Sequence, residues 1–158
     1  MKVALAPVAF ADKGVLRPLF DAYQIAYADL TEPARAKGSP CDDPWFDAYW
    51  IEPERIPLWI LADGERAGFA LVNRVSPSGL GCDRAVAEFC VLPEHRRAGV
   101  GLAAARALFG RYEGVWELKV HRANAPGLAF WEKAIGAEAP AYHDVLERPD
   151  EVIHRFTR

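Results

Sequence analysis

The sequence predicts a mixed α/β protein organised around one sheet, and three observations carry that expectation. Leu16, Leu19, Phe20, Tyr23, Tyr27 and Leu30 recur at helical spacing. Two apolar runs flank Asp63-Gly64, the strongest short signal for a hairpin. The segments AVAEFCVLP (85–93) and VWELKVH (115–121) enclose an apolar helical stretch with short joins, which implies a parallel pair with a right-handed crossover.

The elements follow in order. MKVALAPV reads as a first strand. The helix after it carries Pro18, tolerable in a first turn. EPARAKGSPCDDP (32–44) is rich in breakers and reads as a loop. WFDAYW (45–50) reads as a short aromatic helix or turn, with Trp45, Phe46, Tyr49 and Trp50 either lining a pocket or plugging one end of the core. The hairpin IPLWILADGERAGFALVNRV (56–75) precedes the strand that Pro93 stops. Leu102, Ala105, Phe109 and Tyr112 then make an apolar stripe, with Arg106 and Arg111 outside it. After VWELKVH, Asn124 is placed to cap a helix, Pro126 to sit in its first turn and Gly136 to stop it. AYHDVLE and VIHRFT close the chain as strands. The order is βα(α)βββαβαββ.

A length of 158 residues fits one domain over 1–158, large enough for a core without staples. The net charge is −3 and the one dense basic cluster is His95–Arg97, which disfavours nucleic acid as the partner. Cys41, Cys82 and Cys90 show no metal spacing and read as free thiols of a reducing compartment; no metal is expected. No apolar run approaches a membrane span, and the first ten residues do not read as a signal peptide. The expectation is a cytoplasmic protein.

The most informative stretch is HRRAGVGLAAARALF (95–109). A helix start leaves N–H groups unpaired and carries partial positive charge, so it binds phosphate if nothing blocks the approach. Gly99 and Gly101 remove blocking side chains, and Arg96 and Arg97 add full charges suited to phosphate oxygens. A tight turn with merely solvated arginines is the bland alternative. Residues 99–104 also fit the dinucleotide fingerprint G-x-G-x-x-A. That motif needs an acid at the end of the next strand, which here reads KVHRAN.

These residues resemble a known family. VLPEHRRAGVGLAAARALF is similar to the acetyl-CoA signature of the GCN5-related N-acetyltransferases (GNAT), Arg/Gln-x-x-Gly-x-Gly/Ala, filled here by Arg96, Gly99 and Gly101. Asn124, Phe130, Trp131 and Gly136 match the family's later segment, and the element order agrees along essentially the whole chain. AEFCVLPEHRRAGVG followed by WELKVHRANAPGLAFWEK resembles a small bacterial branch of predicted acetyltransferases. The resemblance implies a GNAT fold: a mixed, mostly antiparallel seven-stranded sheet with a central splayed parallel pair, flanked by about four helices.

It further implies acetyl-CoA as cosubstrate, held in the wedge between AEFCVLP and WELKVH. The backbone of Phe89, Cys90 and Val91 would run along the pantetheine arm, with one N–H polarising the thioester carbonyl. The amides of Arg97, Ala98, Gly99, Val100, Gly101 and Leu102 would grip the pyrophosphate. Asn124, Phe130 and Trp131 would lie along the far side. Glu88 and Glu117, on the two inner strands, are the candidate bases, although regular alternation turns Glu88 away from the face of Phe89 and Val91 unless a bulge intervenes. The tyrosine that many members use as acid is Trp131 here, and indole does not titrate usefully. Tyr142, His121 or solvent are the substitutes, while Cys90 reads as a small buried hydrophobe.

The expected activity is acetyl transfer from acetyl-CoA to a primary amine, of a small molecule or of a protein, by direct attack in a ternary complex. Asp42, Asp43 and Asp47 beside the aromatic segment would suit a cationic acceptor or simply a solvated loop. The alternative is an acyl-CoA-binding regulatory module that has lost turnover. Neither nucleic acid nor membrane is an expected partner, and monomer and homodimer both remain open.

Overall fold

The computed structural model describes residues 1–158. Its strands are β1 (Val3–Pro7), β2 (Ile56–Ala62), β3 (Glu65–Asn73), β4 (Arg84–Val91), β5 (Val115–His121), β6 (His143–Glu147) and β7 (Glu151–Thr157). They form one sheet in the order β1-β2-β3-β4-β5-β7-β6. Every neighbouring pair is antiparallel except β4–β5. The helices are α1 (Lys13–Thr31), α2 (Val100–Phe109) and α3 (Ala125–Ala137). Three short 3-10 turns accompany them, at Phe10–Asp12, Asp47–Trp50 and Pro93–His95, so the helical complement is three α-helices rather than about four. No helix is long and apolar enough to cross a membrane.

Local chemistry accounts for the joins. Asp63 (φ 51°) and Gly64 (φ 87°) are both left-handed, as a two-residue hairpin with right-handed strand twist requires. Asn124 caps α3, its Oδ1 accepting from the Gly127 N–H at 3.1 Å. Two boundaries differ from expectation. Helix α1 begins at Lys13, so Pro18 lies in its second turn; the buried face of Leu16, Phe20 and Ala28 outweighs one lost backbone hydrogen bond. Leu30, at the end of that stripe, is exposed. Helix α3 runs one residue past Gly136, and the chain reverses at Ala139 (φ 44°).

Helix α1 and the aromatic turn cover one face of the sheet, where Phe20, Phe46 and Tyr49 pack on Trp59, Phe69 and Leu71. Helices α2 and α3 cover the other, where Leu108, Phe109 and Trp131 pack on Val72, Trp116 and Phe156. Two irregularities shape what lies between. Leu71 pairs with Glu88 but Val72 with Val86, so Ala87 is an unpaired bulge. In addition, β4 and β5 pair only over Arg84–Val86 and Trp116–Leu118. Beyond that level the two strands separate and leave a wedge.

Candidate active site

The arginine–glycine segment forms the outer corner of the wedge. After β4, the backbone turns through left-handed Arg97 (φ 62°) and Gly99 (φ 82°), and Gly99 is the N-cap of α2. None of the N–H groups from Arg97 to Leu102 donates to a protein acceptor; the first bond of the turn is Ala103 N–H to the Gly99 carbonyl, at 3.1 Å. Alternating hands with free amides make a concave anion cradle. A Cβ built on Gly99 meets nothing within 4 Å, so the approach is open. One built on Gly101 would stand 3.0 Å from Phe130, so that glycine lets α2 and α3 close together. The side chains of Val100 and Leu102 pack into the core, while Ala98 and Arg97 are exposed. Arg96 behaves differently from expectation: its Nε donates to the Val91 carbonyl at 2.8 Å and ties down the end of β4. These amides fit a diphosphate.

The inner wedge has a volume of ≈ 100 Å³ and is lined by Tyr23, Tyr27, Ala87, Phe89, Asn124 and Trp131, among others. The Leu92 N–H bonds Ala67 on β3, at 2.8 Å. Strand alternation then turns the N–H groups of Cys90 and Glu88 toward β3, and those of Phe89 and Val91 into the wedge. Cys90 is therefore a correction: its amide serves the sheet and its side chain is buried under α1. Trp131 is buried and meets Phe89 edge-on at 5.0 Å and Phe130 at 4.8 Å.

On the α1 side lies a second pocket, of ≈ 350 Å³, whose lining includes Phe20, Asp43, Phe46, Tyr49, Arg55 and Asn73 along with Ala87 and Glu88. Regular alternation from Glu88 to Val91 puts Glu88 with Leu71 and Cys90 on the α1 face, opposite to Phe89, and the bulge at Ala87 returns Val86 to the α2–α3 face with Phe89. Gln24 Nε2 donates both to Glu88 Oε1 (3.3 Å) and to Asp43 Oδ2 (3.1 Å), holding two carboxylates at one end of the pocket. Burial, reinforced by the Asp43 charge and opposed by hydrogen bonds from Tyr23 and Gln24, pushes the Glu88 carboxyl up to about 7.

The other catalytic candidates lie elsewhere. Glu117 pairs opposite Ala85, below the wedge, and is fully buried. It accepts from Ser76 Oγ (2.9 Å), Ser78 N–H (2.9 Å) and Ser78 Oγ (2.8 Å), and pairs with Arg155. Burial alone would raise its pKa; the serine and arginine partners outweigh it and hold the carboxylate below its usual range. Glu117 thus anchors the 76–81 loop, and a saturated carboxylate is no base. Tyr142 precedes β6, whose His143 pairs with Phe156, itself opposite Trp116; it lies two strands away, at the closed end of β5. His121 uses its Nδ1 to accept from the Ala123 N–H at 3.1 Å.

Sequence reasoning missed Tyr23, Gln24, Tyr27, Arg55 and Asn73. Tyr23 and Tyr27 were readable only as core residues of an apolar stripe. Their i,i+4 spacing does put both hydroxyls on one face, and a pair of polar tips on such a stripe was the available signal. Tyr23 is bonded to Glu88, and burial raises its pKa well above 10. Tyr27 is half-buried at the wedge, opposite the end of β5. Burial and then Glu88 raise its pKa, while the His121 N–H works the other way. That amide is free for Tyr27 because Arg122 N–H bonds toward β7 (Asp150, 2.9 Å), so its neighbour points into the wedge.

The Acetyltransferase (GNAT) family model matches residues 19–137. The chain belongs to the GNAT acetyltransferase family. No curated protein matches it by sequence. Solved structures with the same fold include an acetyltransferase from Thermus thermophilus (14% identity, TM-score 0.67, covering 100% of this chain and 97% of that one). A GNAT acetyltransferase from Streptococcus agalactiae aligns at 10% identity and TM-score 0.71, over 99% and 95%. The PaiA N-acetyltransferase of Thermoplasma acidophilum, solved in complex with coenzyme A, aligns at 13% identity and TM-score 0.60, over 100% of both chains. Family membership and the coenzyme A complex accord with acetyl-CoA as cosubstrate.

Proposed function

We propose that this acetyltransferase moves the acetyl group of acetyl-CoA onto a primary amine, by direct attack in a ternary complex. One observation carries the reading: the wedge and the larger pocket share Ala87, so an amine at Glu88 lies at the mouth of the wedge. Acetyl-CoA supplies the activated acyl thioester. The amides of Arg97 to Leu102 hold its diphosphate, and the main chain of Phe89 and Val91 runs beside its pantetheine arm. Asn124, Phe130 and Trp131 line the opposite wall.

The Phe89 N–H is the donor that polarises the thioester carbonyl. Glu88, poised near neutrality, takes the proton of the attacking amine directly or through one water. Tyr27 donates its phenolic proton to the departing sulfur and stands in for the tyrosine that Trp131 replaces. A covalent acetyl-cysteine route has no support: Cys90 faces away from the wedge, and burial raises its thiol pKa. The pocket volume suits a small-molecule acceptor.

The test is acetyl-CoA titration followed by thiol release with a panel of primary amines. Turnover is expected, and Tyr27→Phe lowers kcat by about tenfold or more with acetyl-CoA affinity unchanged. Tight acetyl-CoA binding without thiol release on any amine would identify a regulatory CoA-binding module instead.

A further inference from the structure

The larger pocket is electrically polar along its length. At the end that meets the wedge, Gln24 gathers the carboxylates of Glu88 and Asp43. Arg55 lines the same pocket from a different element. It immediately precedes β2, whose Ile56 pairs with Val72, whereas Glu88 pairs with Leu71. The two backbones are therefore two strands apart and two residues out of step, about 12 Å. Ile56 packs on the α2–α3 side, which leaves Arg55 on the α1 face with Glu88.

The guanidinium is built in rather than loose. Its side chain is 12% exposed, and it lies over the rings of Trp45 (5.1 Å) and Tyr49 (5.4 Å). Glu52 takes only its Nε, at 2.6 Å, from a side chain that is half exposed and screened by water. Tyr49 is a second hydrogen-bond partner of the guanidinium, and because an arginine offers five donors, N–H groups still remain for a ligand. Between the charged ends the pocket wall is apolar, formed by Phe20, Phe46 and Leu71.

We infer that the acceptor is a zwitterion: a primary amine separated by an apolar spacer of several bonds from an anionic group, carboxylate or phosphonate-like, that Arg55 binds. This deepens the proposed function and rests on it. The amine must lie at the Glu88 end, because only that end opens on the wedge. The anion then falls at Arg55, and the substrate dipole opposes the pocket's own. An α-amino acid, with its two groups on one carbon, is too short to reach both ends.

The experiment measures kcat/KM for glycine, β-alanine, γ-aminobutyrate and ε-aminocaproate, for propylamine and pentylamine as decarboxylated partners, and for aminopropylphosphonate. Binding of each to the enzyme–CoA complex is measured by calorimetry. A longer amino acid is expected to exceed its alkylamine partner by about tenfold or more, with glycine poor. The phosphonate arm tells which anion the fork prefers. Arg55→Met should erase the preference while acetyl-CoA affinity stays unchanged, which also certifies the fold. Arg55→Lys, keeping the charge, should retain part of it. Alkylamines used as well as their carboxylated partners, or a preference that survives Arg55→Met, overturn the inference. So does acetyl-CoA binding with no carboxylated amine bound or acetylated, an outcome that leaves the proposed function standing if other amines react. Failure to bind acetyl-CoA at all would overturn both.

Discussion

Replacing Glu88 with glutamine should make the protein more stable and nearly inactive, and the stability gain should grow as the pH rises from about 4.5 to about 7 and stay at its full value above that. The carboxyl stands at about 7 in the folded chain against a reference of 4.5, with burial the leading cause. Between those two values the unfolded chain has released its proton and the folded chain keeps it. Stability therefore falls as pH rises through that window, by about 1.4 kcal/mol per pH unit. The cost approaches roughly 3 kcal/mol by pH 8, and is below about 1 kcal/mol at pH 5. Glutamine preserves the shape and the link to Gln24 but carries no charge. Glu88→Gln should thus gain up to roughly 3 kcal/mol at pH 8, a rise in Tm of several degrees, and little at pH 5. Denaturant unfolding at the two pH values reads this directly. The same substitution should lower kcat by about 100-fold or more and remove the rise in rate through pH 7. A stability difference that does not change with pH would mean that Glu88 is solvated and titrates normally. The argument for a poised base at the bulge would then fail.

Two further outcomes test the remaining parts. Gly99→Asp puts a carboxylate among the free amides at the α2 start, and should weaken acetyl-CoA binding by about tenfold or more; unchanged calorimetric affinity in the folded variant would remove the diphosphate site. Glu117→Ala strands Arg155 and should cost about 3 kcal/mol, read by denaturant unfolding, with the pH dependence of the rate near 7 intact. Because Glu117 is held below its usual pKa, its contribution is complete above about 4.5 and is lost only as the pH falls through the lowered value; an altered rate profile near neutrality would restore Glu117 as a base.

Most of the architecture was legible because its signals are local. Asp63-Gly64 encodes its own turn through two left-handed residues. Asn124 encodes a helix start through one side-chain oxygen, with Gly127 leaving it room. The cradle of free amides at the α2 start was legible for the same reason: the glycines, the arginines and the helix start are consecutive, and their chemistry lies in the backbone. Where local signals competed with packing, packing prevailed. Pro18 is carried inside α1 because the face around Leu16 and Phe20 is buried, and Arg96 turns to the Val91 carbonyl because that oxygen is left unpaired where β4 leaves its partner.

By itself, then, the sequence determined the order of elements, the parallel crossover and the anion cradle, all of which follow from neighbours along the chain. Only the tertiary structure separated the candidate acids and bases from one another. The bulge at Ala87 is a property of how β3 and β4 pair, and which pocket Glu88 enters depends on which helices cover each face of the sheet. Tyr27 and Arg55 reach the site from elements distant in sequence, and no periodicity distinguishes a tyrosine beside a wedge from one inside a core. Glu88 and Glu117 look alike as single carboxylates on inner strands. What separates them is that Glu117 is surrounded by Ser76, Ser78 and Arg155, whereas Glu88 is buried beside another acid and remains free to take a proton.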